Sequence, residues 1–285
     1  MPFRRIVVAL DGSPTSLAAL EATAELASAW GAEITGLFLE DTSLLRMASL
    51  PFAQEVGSHS GAFRALNVGQ AERELRSQAD RARNTLWYVA ERFRLTASFN
   101  VARGTVQKEL LKALNESDML SMGKGGGSVA GGVGLGTNAK AVAASGTGVA
   151  MLHSHVARVS GPPAVIYDGS PSAVRALEIG GEFASTLGTS LLVLCPVEGE
   201  CREELQEKAS ATIRDPRTKL EFRPLVTRSP QDIARNVRSS GANIVVVPTK
   251  GPVLTKETVE TLLFRFFGPV ILVGESQTEE GDGEA

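Results

Sequence analysis

The chain has 285 residues, a formal net charge of −3 and a 43% hydrophobic, 21% charged composition. That balance suits a globular protein with a sizeable core, and it excludes an overall field that draws in nucleic acid or anionic membrane. Two cysteines exclude a disulfide scaffold.

Glycine is in excess at 29 residues, and ten of these fall within Gly123–Gly148, where an even spread would place fewer than three. Glycine at this density marks backbone that bends sharply or approaches something closely. Arg4-Arg5 precedes only the short run Ile6–Leu10, too short for an export signal. No apolar run nears the ~20 residues of a membrane span. The reading is therefore a cytoplasmic protein.

In chain order, Arg5–Leu10 reads as a buried strand. Ser13-Pro14 opens a helix, with Ser as the cap and Pro at its first position. Leu17, Leu20, Ala24 and Ala27 recur at helical spacing, and Gly31 supplies the stop. Ile34–Leu39 is a second strand. Thr42–Asn67 is an insertion, read as a packing segment, with a lid as the alternative. Gln70–Phe93 is a long helix, Ala97–Val101 a third strand, Val106–Asn115 a short helix and Met119–Met122 a fourth strand. A helix over Asn138–Ala144 and a fifth strand, Val149–His153, follow the glycine cluster.

The sequence then repeats. Leu10-Asp11-Gly12-Ser13-Pro14 returns as Tyr167-Asp168-Gly169-Ser170-Pro171, at an offset of 157 that holds without gaps to Gly31 and Gly188. Between Asp11 and Gly31, 11 of 21 positions are identical. Such self-similarity predicts two copies of one unit. The second copy's strands fall at Ala164–Tyr167, Ser190–Cys195, Glu221–Val226, Ile244–Val247 and Val270–Val273, with helices from Ser170-Pro171, over Glu203–Ile213 and over Pro230–Ser239. The expected organisation is one domain over 1–155, a second over 163–275 and an acidic, disordered tail over 276–285. Strands alternating with helices predict two tandem five-stranded, parallel, open-twisted α/β domains covered on both faces.

The glycine cluster, Gly123-Lys124-Gly125-Gly126-Gly127 through Gly134-Leu135-Gly136-Thr137, follows the fourth strand. Ligands of open α/β sheets bind beyond the strands' carboxyl ends. A glycine loop there exposes N–H groups to phosphate oxygens, and a helix starting near Thr137 adds its own free N–H groups and positive end. A Walker A loop fits badly, because Thr137 stands where Lys is required. A dinucleotide fingerprint fits badly too, because the loop follows the fourth strand. Lys124 is read as a solvated loop lysine. His153 and His155, two apart, lack further metal ligands, and His59 stands alone. Cys195 and Cys201 lack a metal-type spacing, so Cys195 reads as a buried strand residue. No catalytic nucleophile–base set stands out, and Ser13 and Ser170 read as caps.

On these residues the repeat unit resembles a universal stress protein domain, a Rossmann-like fold of the adenine nucleotide alpha hydrolase-like kind. The family's ATP-binding members share Gly, two residues, Gly, nine residues, then Gly followed by Ser or Thr. Gly123, Gly126, Gly136 and Thr137 meet that pattern, and Asp11-Gly12-Ser13 matches the family's opening Asp-x-Ser. The resemblance implies a nucleotide site in the first copy. Asp11 would stand by ribose and adenine, with Ala9 and the Leu39 backbone at adenine. Met122 and Gly123 would begin the phosphate loop. Gly126, Gly136, Thr137 and the Asn138 N–H would hold the phosphates of ATP or another adenine nucleotide, accompanied by Mg²⁺. It also implies that fifth strands pair edge to edge, here Val149–His153 with Val270–Val273, in an internal pseudo-dimer from which chains could associate further.

The second copy departs from the pattern. Pro248-Thr249-Lys250-Gly251 replaces the loop start, no Gly-Ser or Gly-Thr pair follows, and Pro196 stands opposite Leu39. One nucleotide per chain is expected, with Asp168 left to cap local structure. The function implied is an ATP-binding stress-response or signalling module with at most slow ATPase activity. The competing readings are an ATPase or nucleotidyl-transfer enzyme, and a structural interaction protein with no ligand.

Overall fold

The computed structural model describes residues 3–42, 46, 54–56, 63–65, 68–125, 135–154, 159–196, 202–225, 229–252 and 254–274. The first copy runs β1 (Arg5–Leu10), α1 (Pro14–Trp30), β2 (Glu33–Asp41), β3 (Gln54–Val56), β4 (Phe63–Ala65), α2 (Val68–Phe93), β5 (Ala97–Gly104), α3 (Val106–Glu116), β6 (Met119–Gly123), α4 (Thr137–Ser145) and β7 (Val149–His153). The second runs β8 (Pro163–Ile166), α5 (Pro171–Leu187), β9 (Leu191–Pro196), α6 (Arg202–Thr212), β10 (Leu220–Leu225), α7 (Pro230–Ser239), β11 (Ile244–Pro248), α8 (Lys256–Arg265) and β12 (Val270–Val273).

The repeated Ser-Pro pairs do the same work twice. Ser13 and Ser170 cap α1 and α5, accepting from the Ser16 and Ala173 N–H groups, and Gly31 and Gly188 close these helices in the left-handed conformation. Of the helical-spacing residues, Leu20, Ala24 and Ala27 are buried, but Leu17 is 43% exposed. It sits one turn from the start of α1. The third strand is longer than its apolar run suggested. It continues to Gly104 because it pairs with β2 along all eight residues, from Ile34↔Ala97 to Asp41↔Gly104. Between β2 and α2, β3 and β4 form an antiparallel pair inside the insertion. The rest of the insertion, His155, Cys201 and the tail lie outside the described residues.

The main sheet has ten strands in the order β10-β9-β8-β11-β12-β7-β6-β1-β2-β5. Every pair is parallel except β7 with β12 at the centre, where Ala150↔Leu272 and Met151↔Ile271 run antiparallel. This is the edge pairing that the family resemblance implies. Strand alternation then sorts the core. Ile6, Val8 and Leu10 of β1 join the cluster under α1, α2, α5 and α6, whereas Val7 and Ala9 pack toward α3, α4, α7 and α8. The result is a three-layer α/β/α architecture. Trp30 bridges its two halves, with its ring centroid 5.1 Å from that of Phe3 and 5.1 Å from that of Phe183. Its Nε1–H donates to Thr186 Oγ1 at 2.7 Å.

Candidate functional site

β1 and β6 are neighbours, but the chain leaves β1 for α1 on one face and β6 for α4 on the other. Connections that part in this way open a crevice at the strands' carboxyl ends. A cavity of about 280 Å³ lies there. Its floor and walls are apolar, from Leu37, Leu75, Val106 and Leu110, while Asp11, Asp41 and Gln78 bring polar groups to it.

Most of the residues expected at a nucleotide site meet in this one cavity: Ala9, Asp11, Leu39, Met122, Gly123, Gly136 and Asn138 all line it. Ala9 pairs with Leu37 and Leu10 with Phe38, so Asp11, where β1 ends, comes beside Leu39, where β2 continues along β5. Thr137 is exposed at the start of α4 and is not part of the lining. Gly126 lies outside the described residues.

Local chemistry fixes each part. The Ser13 N–H donates to Asp11 Oδ1 at 2.9 Å, folding the strand end into a tight turn with Gly12 at φ 75°. Among the described residues Asp11 Oδ2 has no hydrogen-bond partner, and Asp11 is exposed. Gly123 permits the close approach of β6 to α1, because a Cβ there would stand 2.9 Å from Thr15 Cβ and Oγ1. The loop root is closed by the Lys124 N–H donating to the His153 carbonyl at 2.7 Å and the Gly136 N–H to the Lys124 carbonyl at 2.9 Å. Gly136 is the N-cap of α4 and gives it no side-chain cap bond, so the first-turn N–H groups beside the cavity are uncapped by side chain.

Sequence reasoning missed the far wall. Val106 and Leu110 form an i, i+4 pair on α3, which was the available signal for one apolar face. Nothing in the sequence marked Leu75 or Gln78.

Lys124 corrects its sequence reading. It is 7% exposed, not solvated, and its ammonium donates to the Phe266 carbonyl at 2.9 Å and the Gly268 carbonyl at 2.7 Å. Burial pushes it down to about 7. The two carbonyl acceptors, at the C-terminal end of α8, favour its charged form against that burial. Beside it, His153 is fully buried and held neutral, pushed down to about 3 by burial and then by the Lys124 charge. Ser121 Oγ lies 3.0 Å from His153 Nε2 and 2.6 Å from Thr23 Oγ1, forming a buried polar chain behind the loop.

In the second half the segment after β11 lies against the carboxylate that corresponds to Asp11. Asp168 Oδ1 accepts from the Ser170 N–H at 3.0 Å, repeating the Asp11 turn. Here, however, the segment after β11 lies on it: a Cβ on Gly251 would stand 2.7 Å from Asp168 Oδ2, and the Ser172 hydroxyl donates to the Lys250 carbonyl at 2.5 Å.

A larger cavity, about 690 Å³, lies at the opposite ends of the first-half strands, between Phe3, Asp118 and Val149 on one side and Arg175, Glu178 and Ile213 on the other. It is farther from the glycine loop, and charges on its wall pair with one another, as Arg214 does with Glu178 at 3.5 Å. The smaller cavity has the strand ends and the uncapped helix start, and it is the candidate site.

Among the described residues no group of three or more His, Cys, Asp or Glu side chains is placed to hold a metal ion, and no helix is long and apolar enough to cross a membrane.

Fold and crevice together define a doubly wound α/β protein with a cleft at its topological switch point. The chain belongs to the Universal stress protein family, whose sequence model matches residues 2–147. Among solved structures it is similar to a universal stress protein from Archaeoglobus fulgidus DSM 4304, at 16% identity and TM-score 0.72, covering 95% of this chain and 98% of that one. It is also similar to a functionally unknown protein from Pseudomonas aeruginosa PAO1, at 14% identity and TM-score 0.53, covering 95% and 92% of the two chains. Likeness at these identities establishes the fold. No curated protein matches the chain.

Proposed function

We propose that the chain binds one adenine nucleotide, ATP with Mg²⁺, in the crevice of its first half, and acts as a nucleotide-dependent stress-response or signalling module. The observation that carries this reading is the convergence of Ala9, Asp11, Leu39, Met122, Gly123, Gly136 and Asn138 on one cavity. At about 280 Å³ it lies near the lower end of the roughly 300–1,000 Å³ typical of small-molecule sites, a size for the nucleoside with phosphates at its mouth. Apolar walls cover the base, the Asp11 carboxylate accepts from ribose hydroxyls, and the uncapped start of α4 faces the phosphates. Mg²⁺ bound mainly by phosphates and water needs no dedicated cage of side chains.

The second half, read as a domain over 163–275, supports rather than binds, because its own chain lies over Asp168. The reading is of binding and not turnover: Ser13 Oγ is engaged as the cap of α1. A bound ligand stabilises by RT ln(1 + [L]/Kd), about 2.7 kcal/mol at a hundredfold excess over Kd. A thermal scan with saturating Mg-ATP is expected to raise the melting temperature by roughly 5–10 °C. An unchanged midpoint at millimolar Mg-ATP contradicts the proposal.

A further inference from the structure

Lysines beside phosphate sites ordinarily point at the anion. Lys124 points the other way, out of the first half and into the second. Its ammonium donates to the carbonyls of Phe266 and Gly268 and lies 5.8 Å from the Phe266 ring centroid. The carbonyl between them, Phe267, accepts from the Ser154 hydroxyl at the end of β7. The turn after α8 thus presents three successive carbonyls to the first half.

The backbone of Lys124 is as constrained as its side chain. Its N–H is held by His153 and its carbonyl by the Gly136 N–H, the N-cap of α4. One residue therefore fixes both ends of the glycine loop relative to the end of β7 and, through its side chain, to the other half.

The residue at the matching position of the second half is a threonine. Gly123 pairs with His153 as Pro248 pairs with Val273, which places Thr249 where Lys124 stands. The Thr249 N–H donates to the Val273 carbonyl as Lys124 does to His153, but its short side chain turns back to that same carbonyl, at 3.3 Å.

We propose that Lys124 is the positioning residue of the nucleotide loop, holding the loop root and the start of α4 against the turn over 266–268, so that ligand binding in the first half depends on the second. This rests on the nucleotide reading of the crevice. Removing the ammonium leaves buried carbonyls without a donor and frees the Lys124 peptide to rotate, which moves the N–H groups of α4 away from the phosphates.

The test compares wild type, Lys124→Met and Lys124→Arg by calorimetric titration with Mg-ATP and by amide hydrogen exchange of the nucleotide-free proteins. Lys124→Met is expected to raise Kd at least tenfold and to speed exchange at Gly125 and over Gly136–Ala139 at least fivefold. Lys124→Arg keeps donors on the same carbonyls and is expected to stay within about threefold of wild type in both. Wild-type affinity and wild-type loop exchange in Lys124→Met overturn the proposal. Should Lys124→Met fail to fold, Lys124→Arg decides: a cooperative melt with the loop deprotected overturns it, and a protected loop supports it. If wild type does not bind Mg-ATP, the nucleotide reading falls, while exchange in the free proteins still tests the latch.

Discussion

Asp11→Ala is expected to weaken Mg-ATP binding by roughly ten- to a hundredfold, the loss of about 1.5–3 kcal/mol for hydrogen bonds to a charged acceptor. The carboxylate stands at the carboxyl end of β1, exposed to the crevice, and its role within the protein is modest: Oδ1 accepts one bond from the Ser13 N–H. Losing that bond costs on the order of 1 kcal/mol of stability. Titration and a nucleotide-free melt therefore separate the two effects, with affinity falling far more than stability. Asp168→Ala is the matched comparison. It removes the equivalent carboxylate from a turn covered by the segment at Gly251, and it should leave affinity unchanged. Equal affinity in Asp11→Ala and wild type contradicts the placement of the ligand.

The second large effect concerns the joint between the halves. Phe183→Ala is expected to destabilise the protein by about 3–5 kcal/mol, the usual cost of truncating a buried Phe. Phe183 is fully buried, on α5 of the second half, and packs edge-on against Trp30 of the first, with Phe3 6.5 Å away. Trp30 is a fluorescent reporter at this contact, so denaturant unfolding followed by its emission gives the change directly. A loss below about 1 kcal/mol contradicts the view that this aromatic cluster joins the halves.

Much of the fold is legible in the sequence because its signals are local. Ser-Pro and Gly mark the ends of α1 and α5, the short apolar runs are the strands, and the gapless repeat fixes that there are two related halves. The antiparallel joint at β7 and β12 was expected from family resemblance, since no local pattern specifies an edge pairing. The site divides along the same line. Asp11, Gly123 and Gly136 sit at strand ends and a helix start whose chemistry shows in the sequence, and the neighbouring strands bring Ala9, Leu39 and Met122 with them. Leu75 and Gln78 approach from α2, across a distance in sequence that no spacing rule spans. Lys124 was misread for a related reason. A lysine among glycines looks solvated until the second half supplies two carbonyls at its reach, and those come from residues more than a hundred positions away.

The most direct measurement is the stoichiometry of Mg-ATP binding by calorimetry on the full chain. One nucleotide per chain, abolished or strongly weakened by Asp11→Ala and untouched by Asp168→Ala, is the predicted result. Two per chain, or none, contradicts a site built in the first half alone.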